Sequence, residues 1–245
     1  QMDGLEIDRG CRPFLLNAKG RIEGSFFACR KDTSELWVDT APEHGAVVTE
    51  LLDRFHFGED FVTEPMNDQV ALLTVVGPEA PSVLGNAKLP APEGLWQYAR
   101  PVEGNVYVGR VPRITPLSWD VWVPRAEVRQ WWTKLIASGA HPGGQLAINA
   151  LRIEAGTPTH PTEFSDAVTP LDCGGMDGVT DAKGCYPGQE VIERTITLGK
   201  PARALVAVTG DEFFAQNDTL WAGERSVGRI TSAVRWPNGR VDGLA

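Results

Sequence analysis

The sequence predicts an α+β protein, and three observations support that class. Apolar residues recur at three- and four-residue spacing between Val47 and Phe55 and again between Val128 and Ile136, as on one face of a helix. The run 70–76 is short, apolar and rich in β-branched residues, and Gly77-Pro78 follows it, which favours a strand. Beyond residue 203, short apolar runs alternate with Gly and Asn, which indicates a further β region with tight turns.

The composition is that of an ordinary globular protein. Of the 245 residues, 42% are hydrophobic and 22% are charged, so the chain can bury one large core or two to three smaller ones. Its 32 acidic and 23 basic residues give a formal charge of -9, which disfavours non-specific binding to nucleic acid. No apolar run approaches the ~18 residues that a membrane span needs, and no secretory leader opens the chain, so we expect a cytoplasmic protein.

The four cysteines, at positions 11, 29, 173 and 185, form no close pair. Zinc ribbons and thioredoxin-like motifs use such a pair, so a structural metal is not expected. In a cytoplasmic protein of this size, cysteines are more often free thiols than disulfides. The four histidines, at positions 44, 56, 141 and 160, are scattered as well, and we expect them to be structural or exposed.

A β-hairpin is the first clear element. Strand 14–16 leads into the turn Asn17–Gly20, and residues 22–29 return as the second strand. Residues 36–38 are predicted to form the next strand, before the first amphipathic helix. No complete element precedes the hairpin, and the end of the chain is equally abrupt, so we expect the chain to begin inside its first domain.

The middle of the chain alternates strands and helices. After strand 70–76, the predicted elements are a short helix to Leu84, strands near 96–98, 106–108 and 119–123, and a helix over 125–137. Strand, helix, two strands, helix, strand is the order of a ferredoxin-like unit, so residues 40–145 are expected to form one. A helix over 143–155 then ends at Gly156. The aperiodic segment 157–181 has the length of a functional loop.

The stretch from Lys183 to Glu190, Lys-Gly-Cys-Tyr-Pro-Gly-Gln-Glu, concentrates functional groups in one turn. Two glycines and a proline bend the backbone around a thiol, an amide and a carboxylate. A purely structural loop rarely needs that combination, so the stretch is our candidate site. Residues 191–198 and 204–208 alternate and are predicted to follow as strands, which places Glu190 at the start of a strand.

This stretch, with Arg194 four residues beyond its glutamate, resembles the signature of the YgfZ/GcvT-like folate-binding family, relatives of the glycine-cleavage aminomethyltransferase. Residues 15–22 look like the early hairpin of that family, and residues 151–158 look like the segment before its central loop. The three stretches come in the family's order, and the resemblance covers most of the chain. It implies an α+β, GcvT-like fold with three subdomains around a central cavity.

The resemblance and the element order together predict three units. Residues 1–39 with 146–182 form the first GcvT-like subdomain, which is truncated at its N-terminus because the family pattern has an opening strand and helix. Residues 40–145 form the ferredoxin-like α/β subdomain. Residues 183–245 carry the signature loop and a small C-terminal β-barrel.

Tetrahydrofolate, or a one-carbon derivative of it, is the cofactor that the resemblance implies. Glu190 could be an ordinary surface carboxylate, as most glutamates are. It could also be a buried carboxylate that accepts two parallel hydrogen bonds from the amino-pyrimidinone edge of a pterin. The resemblance favours the pterin. It adds to the expected cofactor-binding residues Lys183, Tyr186, Gln189, Arg152, Arg194 and Arg203.

The arginines have two interpretations. Arg194 and Arg203 could be merely solvated, or they could hold the carboxylates of the folate glutamate tail, with Lys200 as a weaker candidate. Arg152 and Glu154 lie two residues apart on the predicted helix and so do not share a face. We expect one of these two to face the cavity and the other to be structural.

One departure from the family pattern bears on the reaction. The aminomethyltransferases carry an aspartate pair on the return strand of the early hairpin, where this chain has Gly24 and Ser25. The resemblance therefore still implies folate binding, whereas aminomethyl transfer would need other residues in place of the missing aspartates. Our first hypothesis is a YgfZ-type folate-binding protein, which by resemblance implies roles in iron–sulfur cluster assembly or repair and in tRNA modification, with iron–sulfur proteins as partners. The alternatives are an aminomethyltransferase or other folate-dependent one-carbon transferase, and an interaction scaffold with a vestigial pocket.

Cys185 also has two interpretations. An isolated cysteine in a loop is commonly a small apolar residue chosen for packing. Against that, Lys183 is two residues away and the glycine-rich turn can direct backbone N–H groups at the sulfur, and both favour the thiolate. We therefore predict that Cys185 is the most reactive of the four cysteines and acts in redox or sulfur chemistry.

Overall fold

Two small antiparallel sheets build the N-terminal part of the protein. A computed structural model describes residues 4–41, 44–58, 60–101, 104–179, 184–199 and 201–245. Strands β1 (Arg9–Cys11), β4 (Phe27–Arg30) and β5 (Leu36–Asp39) pair in the order β1-β4-β5, and β2 (Phe14–Leu16) pairs with β3 (Ile22–Ser25). The predicted hairpin and the strand over 36–38 are confirmed. The predicted return strand over 22–29 is only partly correct, because it divides into β3, which pairs with β2, and β4, which belongs to the other sheet.

A turn stabilised by a side chain closes the hairpin between β2 and β3. The side-chain oxygen of Asn17 accepts hydrogen bonds from the backbone N–H groups of Lys19 at 2.9 Å and Arg21 at 3.1 Å. Gly20 has a φ of +71°, which a residue without a Cβ adopts at little cost. Asn17 and Gly20 therefore determine the turn.

Helix α1 (Gly45–Arg54) confirms the first amphipathic stretch. Val48 and Leu51 are buried, and a Cβ added at Gly24 on β3 would lie 3.4 Å from both side chains. The helix therefore packs directly on the hairpin. The small core beneath it contains Phe26, Ala28 and Val48.

A four-stranded antiparallel sheet forms the largest core. Strands β6 (Val70–Val76), β7 (Tyr98–Ala99), β8 (Tyr107–Arg110) and β9 (Ser118–Pro124) pair in the order β6-β9-β8-β7. Helices α2 (Ala80–Asn86) and α3 (Val128–Ala137) contribute to the same core. Leu84 of α2 and Leu135 of α3 share one buried cluster with Val108 and Val121 of the sheet.

The order of these elements differs from the predicted ferredoxin-like order. The three strands predicted between α2 and α3 are all present, which is one more than a ferredoxin-like unit has there, and helix α4 (Gln145–Glu154) rather than a strand follows α3. In this sheet β7 pairs with β8, and β8 pairs with β9. Strand β6 occupies the remaining edge of β9. A ferredoxin-like unit needs a strand after its second helix. The division of the chain into three subdomains stays a prediction.

Helix α4 confirms the predicted helix over 143–155, and Gly156, with a φ of +70°, follows its end. The segment after it contains two short 3-10 helices, Pro170–Cys173 and Gly175–Gly178. Thr169 begins the first of them, because its backbone N–H donates to the Asp172 carboxylate at 2.9 Å in a capping box. Local hydrogen bonds therefore order the start of this 3-10 helix, and such bonds leave no apolar periodicity in the sequence.

The predicted strand over 191–198 is wrong, because Gln189–Thr197 form helix α5. Five β-branched residues in this stretch raise its strand propensity, which explains the error. Tertiary packing overrides that propensity: Gly188, with a φ of +77°, turns the chain, and Ile192 is fully buried one turn further on. Glu190 consequently lies in the first turn of a helix.

The C-terminal strands form an open sheet and a separate hairpin. Strands β10 (Ala207–Gly210), β13 (Ser232–Arg235) and β14 (Val241–Leu244) pair in the order β10-β14-β13, and β11 (Thr219–Ala222) pairs with β12 (Arg225–Arg229). In the described part of the chain no strand pairing joins the hairpin to the sheet. A closed barrel requires every edge strand to have a partner, so the predicted β-barrel is not found.

The helices of the described residues are short. The longest, α1, α3 and α4, have ten residues each. None of the helices described combines the length and the apolar character that crossing a lipid bilayer would require.

Candidate functional site

A cavity of about 1010 Å³ is lined by residues from the N-terminal sheets, the four-stranded sheet and helix α4. Ligand pockets commonly have volumes of roughly 300 to 1,000 Å³, so this cavity is large enough for a cofactor. The rings of Phe26, Phe27 and Phe164 form part of the lining. The lining also includes charged and polar side chains, among them Arg12, Ser25, Asp39, Arg113, Asn149 and Arg152.

One wall of the cavity carries an arginine between two carboxylates. Arg113 donates to Asp120 from Nε at 2.9 Å and from Nη2 at 2.7 Å, and the same Nη2 lies 2.6 Å from Asp39 Oδ2. The Thr74 hydroxyl also donates to the fully buried Asp120, at 2.9 Å. The Arg113 guanidinium lies over the Phe27 ring, 4.2 Å from its centroid. Two negative groups and one positive group leave this cluster with a net negative charge.

Asp39 shares the Arg113 guanidinium with Asp120. Its side chain is 19% exposed, and its carboxylate is ion-paired with Arg113 at 2.6 Å. Burial raises the pKa of Asp39; Arg113 opposes that rise and Asp120 adds to it. Asp39 also lies on the cavity lining, and the sequence does not single it out, because one aspartate at the end of a strand belongs to no motif.

Arg12 is a second buried charge on the cavity lining. Its exposed fraction is only 8%, and its Nη2 donates to Asp177 at 3.2 Å. The guanidinium lies 5.1 Å from the centroid of the Phe164 ring and 5.9 Å from that of Phe14. Its Nε is buried and has no hydrogen-bond partner among the residues described. A buried N–H without an acceptor costs roughly 1–3 kcal/mol, so a ligand acceptor at this atom would be favourable.

Arg152 lies on the cavity lining, whereas Glu154 lies on the surface and pairs with Arg240 at 3.3 Å. The buried Arg152 is 3.2 Å from Glu163, and its Nη2 donates to Ser232 at 2.7 Å. Ser232 in turn donates to Glu163 at 2.6 Å, which closes the network. Burial lowers the pKa of Arg152, and Glu163 opposes this change. The charge of Arg152 is therefore already compensated inside the protein.

The described residues of the predicted signature are not part of this lining. Lys183 and Lys200 fall outside the described residues. Gln189 is half-buried and donates to Glu193 on the same helix. The exposed signature residues and the arginines that follow them are Cys185, Glu190, Arg194 and Arg203. The described lining of the cavity contains none of them, and their binding roles stay predictions.

Two signature residues attach the motif to the hairpin. Tyr186 is half-buried and packs against the apolar cluster that contains Leu16 of β2. Burial raises the pKa of Tyr186, and Glu193 adds to the rise. A Cβ added at Gly188 would lie 2.5 Å from the backbone of Gly20. Two of the three stretches that carry the family resemblance are therefore in direct contact.

The structure also brings together two histidines that are far apart in the sequence. The Nε2 atoms of His44 and His160 are in contact, and the two ring centroids lie 3.5 Å apart in an edge-to-face arrangement. The pair joins the start of α1 to the segment after α4. No spacing rule could find it, because 116 positions separate the two residues. The described residues contain no group of three or more side chains positioned to hold a metal ion.

Comparison with solved structures identifies the class of fold. The chain resembles the glycine cleavage system aminomethyltransferase T from Bartonella henselae with a TM-score of 0.83 and 22% sequence identity. The match covers 99% of this chain and 69% of that one. The protein therefore has a mixed α/β fold of the GcvT type. Residues 5–183 match the family described as the GCVT N-terminal domain, so the chain belongs to that family, and the resemblance found in the sequence is confirmed.

Three relatives share 26% identity with the chain. One is a putative chloroplastic transferase of Arabidopsis thaliana, matched over 78% of this chain and 46% of its own length. The second is an aminomethyltransferase of Streptomyces avermitilis, matched over 94% and 66%. The third is the tRNA-modifying protein YgfZ of Klebsiella pneumoniae, matched over 92% and 69%. The chain thus spans about half of the first relative and two thirds of the other two.

Proposed function

We propose that this protein binds a tetrahydrofolate, or a one-carbon derivative of it, as a YgfZ-type folate-binding protein. The observation that carries the proposal is the cavity of about 1010 Å³ in a chain of the GCVT N-terminal family. A largely apolar and aromatic lining with a few convergent charged groups is typical of cofactor pockets. A folate supplies matching features, because it joins a flat heterocycle to a tail that carries carboxylates.

The predicted three-subdomain arrangement is part of this proposal. Each predicted unit contributes to the cavity lining: Arg12 and Arg152 come from residues 1–39 with 146–182, Arg113 comes from 40–145, and Ser232 comes from 183–245. A ligand in the cavity would therefore contact all three units. A ligand that binds only the folded state stabilises that state. A ligand in this cavity would therefore hold the three units together.

The residue-level form of the proposal keeps the signature as a second binding surface. Glu190 is proposed to contact the pterin, and Arg194 and Arg203 are proposed to attract the carboxylates of the tail. Their exposure makes them accessible to a ligand. The other residues kept in this proposal are Lys183, Tyr186, Gln189 and Arg152.

We further propose the YgfZ-type role in iron–sulfur cluster assembly or repair and in tRNA modification, in the cytoplasm. The relative named as a tRNA-modifying protein supports this form of the proposal. The exposed thiol of Cys185 supports it as well, because a client protein or a sulfur species can reach it. The charge of -9 favours recognition of a particular partner over general attraction to nucleic acid.

A folate-dependent one-carbon transferase is the alternative, and the relatives named aminomethyltransferases favour it. In the hairpin, Gly24 packs against α1 and Ser25 lies on the cavity lining. Neither residue has a carboxylate. Asp39 does supply one on the same lining. Incubation with tetrahydrofolate and a glycine-derived or methylated donor separates the two functions, because only a transferase converts the folate.

Calorimetric titration of the folded chain with tetrahydrofolate tests the proposed function. We expect saturable binding with one ligand per chain. The matched control ligand is p-aminobenzoylglutamate, which has the tail of folate but no pterin and should bind more weakly. Absence of tetrahydrofolate binding to a folded chain would refute the proposal. Glu190→Gln and Arg203→Ala, titrated in parallel, test the residue-level form.

A further inference from the structure

The chain between the end of helix α1 and strand β6 exposes four large apolar side chains. Phe57 and Val62 are 83% and 92% exposed, and Phe55 and Phe61 are exposed as well. Single exposed apolar residues are common in soluble proteins, whereas a cluster of them indicates a surface that binds another molecule. We call residues 53–68 the acidic segment, because they contain five acidic residues and one basic residue.

Ion pairs within the described part of the chain do not compensate the charge of the acidic segment. Its one basic residue, Arg54, pairs with Glu50 at 3.2 Å and lies 4.0 Å from Glu23, and both partners are outside the segment. The exposed carboxylates of Asp60 and Glu64 form no ion pair with any described residue. The segment therefore combines exposed apolar groups with negative charge, and a basic surface with apolar groups of its own would complement it.

Helix α3 presents a second exposed apolar surface, and the charge of this one is positive. Four exposed side chains recur at intervals of four, three and four residues along the helix and the turn before it: Arg125, Arg129, Trp132 and Ile136. This spacing places them on one face, which we call the basic stripe. Neither arginine forms an ion pair with a described residue. Residues 125–147 contain three basic residues and one acidic residue.

The acidic segment and the basic stripe meet at one point of the fold. Val70, just after the acidic segment, pairs with Pro124, just before the basic stripe. Beside this pair, the backbone N–H of Arg125 donates to the carbonyl oxygen of Gln69 at 2.8 Å. A twofold axis near this junction would place the acidic segment of each copy on the basic stripe of the other. One symmetric dimer would then cover both surfaces.

We propose that the protein forms a symmetric dimer in which the acidic segment of each copy packs on the basic stripe of the other. Complementary charge selects this contact, because two acidic segments or two basic stripes repel each other. Contact of Phe57 and Val62 with Trp132 of the second copy removes apolar surface from water. Trp132 and Ile136 also belong to the cavity lining, so the second copy covers part of the cavity rim. The dimer does not depend on the proposed function.

Sedimentation velocity over a range of protein concentrations tests the dimer. We expect a concentration-dependent dimer at about 50 mM salt and a weaker one at about 500 mM, because salt screens exposed charges. Asp60→Lys and Arg129→Glu should each raise the dimer dissociation constant at least about tenfold, since each places like charges opposite one another. The controls are Glu212→Lys and Arg225→Glu, which reverse exposed charges outside both surfaces and should leave the constant unchanged.

A mixture of the two charge-reversal variants gives the sharpest result. In a dimer of Asp60→Lys with Arg129→Glu, the two altered surfaces face each other and the two unaltered surfaces do the same, so both contacts are attractive. We expect the equimolar mixture to recover the dimer that each variant alone has lost. Phe57→Ser should also weaken the dimer at least about tenfold, whereas Phe213→Ser, at an exposed phenylalanine outside both surfaces, should not.

A monomer at every protein concentration would overturn the inference, and so would a dimer that survives the three variants of the two surfaces. Failure of the mixture to recover the dimer would overturn it as well. Assemblies larger than a dimer would contradict the reciprocal contact, because a contact that is not reciprocal forms rings or chains. Circular dichroism provides the folding control, and we expect native spectra because all the altered side chains are exposed.

Discussion

Gly188 of the signature and Gly20 of the first hairpin are in direct backbone contact. A Cβ added at Gly188 would lie 2.5 Å from both the Cα and the amide nitrogen of Gly20, and 2.5 Å from the carbonyl oxygen of Asn17. Gly188 also has a φ of +77°, which favours glycine. The signature therefore does more than present functional groups, because it joins helix α5 to the hairpin turn.

Gly188→Ala should destabilise the protein strongly. The added methyl group meets backbone atoms that cannot rotate away, and alanine is strained at this φ, so we expect a loss of more than about 2 kcal/mol. Urea unfolding followed by circular dichroism measures the loss. The control is Gly184→Ala in the same motif, where an added Cβ meets nothing within 4 Å. Similar stabilities of the two variants would contradict the contact.

Ile192→Ala tests helix α5 and its packing. Ile192 is fully buried in the cluster that contains Leu16, so its truncation should cost about 2–5 kcal/mol. Ile196, one turn on, is 45% exposed, and Ile196→Ala should cost less than about 1 kcal/mol. Thermal and urea unfolding of both variants provide the comparison. Equal losses would be inconsistent with a helix that buries only one of these faces.

Glu163→Ala should leave the Arg152 charge buried without a partner. Breaking a buried ion pair on one side typically costs about 3–5 kcal/mol. The exposed pair of Glu154 and Arg240 provides the control, and Glu154→Ala should change the free energy of unfolding by no more than about 0.5 kcal/mol. Chemical unfolding at neutral pH measures the free energy of unfolding of both variants. A small effect of Glu163→Ala would show that the network is not rigidly buried.

Asp39 should make the protein less stable as the pH rises. Burial raises the pKa of Asp39 above its ordinary value of 3.8, so between that value and the raised pKa the folded state binds more protons than the unfolded state. The free energy of unfolding therefore falls with rising pH in this window. We expect the wild type to lose stability relative to Asp39→Asn across it, as urea unfolding at a series of pH values would measure.

Asp32 is the control of opposite sign for this pH dependence. The backbone N–H and the hydroxyl of Ser34 hold the pKa of Asp32 below its ordinary value. Its stabilising contribution is present above that ordinary value and is lost as the pH falls through the lowered pKa. The wild type should therefore exceed Asp32→Ala in stability at neutral pH, and the difference should vanish in acid. Parallel slopes for the Asp39 and Asp32 variants would contradict both assignments.

Cys185 should be alkylated first of the four cysteines at neutral pH. Burial raises the pKa of Cys29 and of Cys173 to about 12, and it also raises the pKa of Cys11. Cys185 alone is exposed. Peptide mass spectrometry after brief treatment with iodoacetamide measures the order, and unfolding in urea should abolish it. Early labelling of any other cysteine would mean that Cys185 is not the accessible thiol.

Most local elements were predictable from the sequence, because short-range spacing determines them. The apolar stripe of α1, the β-branched run of β6 and the Asn17–Gly20 turn each depend on residues a few positions apart. The family was equally accessible, because each stretch that resembles it is contiguous along the chain. Helix α5 was not predictable in this way, because its β-branched residues favour a strand. The helix depends on the packing of Ile192 against the hairpin core.

The candidate binding groups of the cavity depend on tertiary structure alone. Asp39 and Arg12 belong to no motif, and what distinguishes them is their shared position on one cavity lining, a property that exists only after the chain has folded. The contacts of His44 with His160 and of Arg152 with Glu163 and Ser232 likewise join distant parts of the chain. The sequence by itself thus determined the family and the local elements. Only the tertiary structure decided which charges share one cavity, because burial and electrostatic compensation depend on neighbours that sequence spacing does not specify.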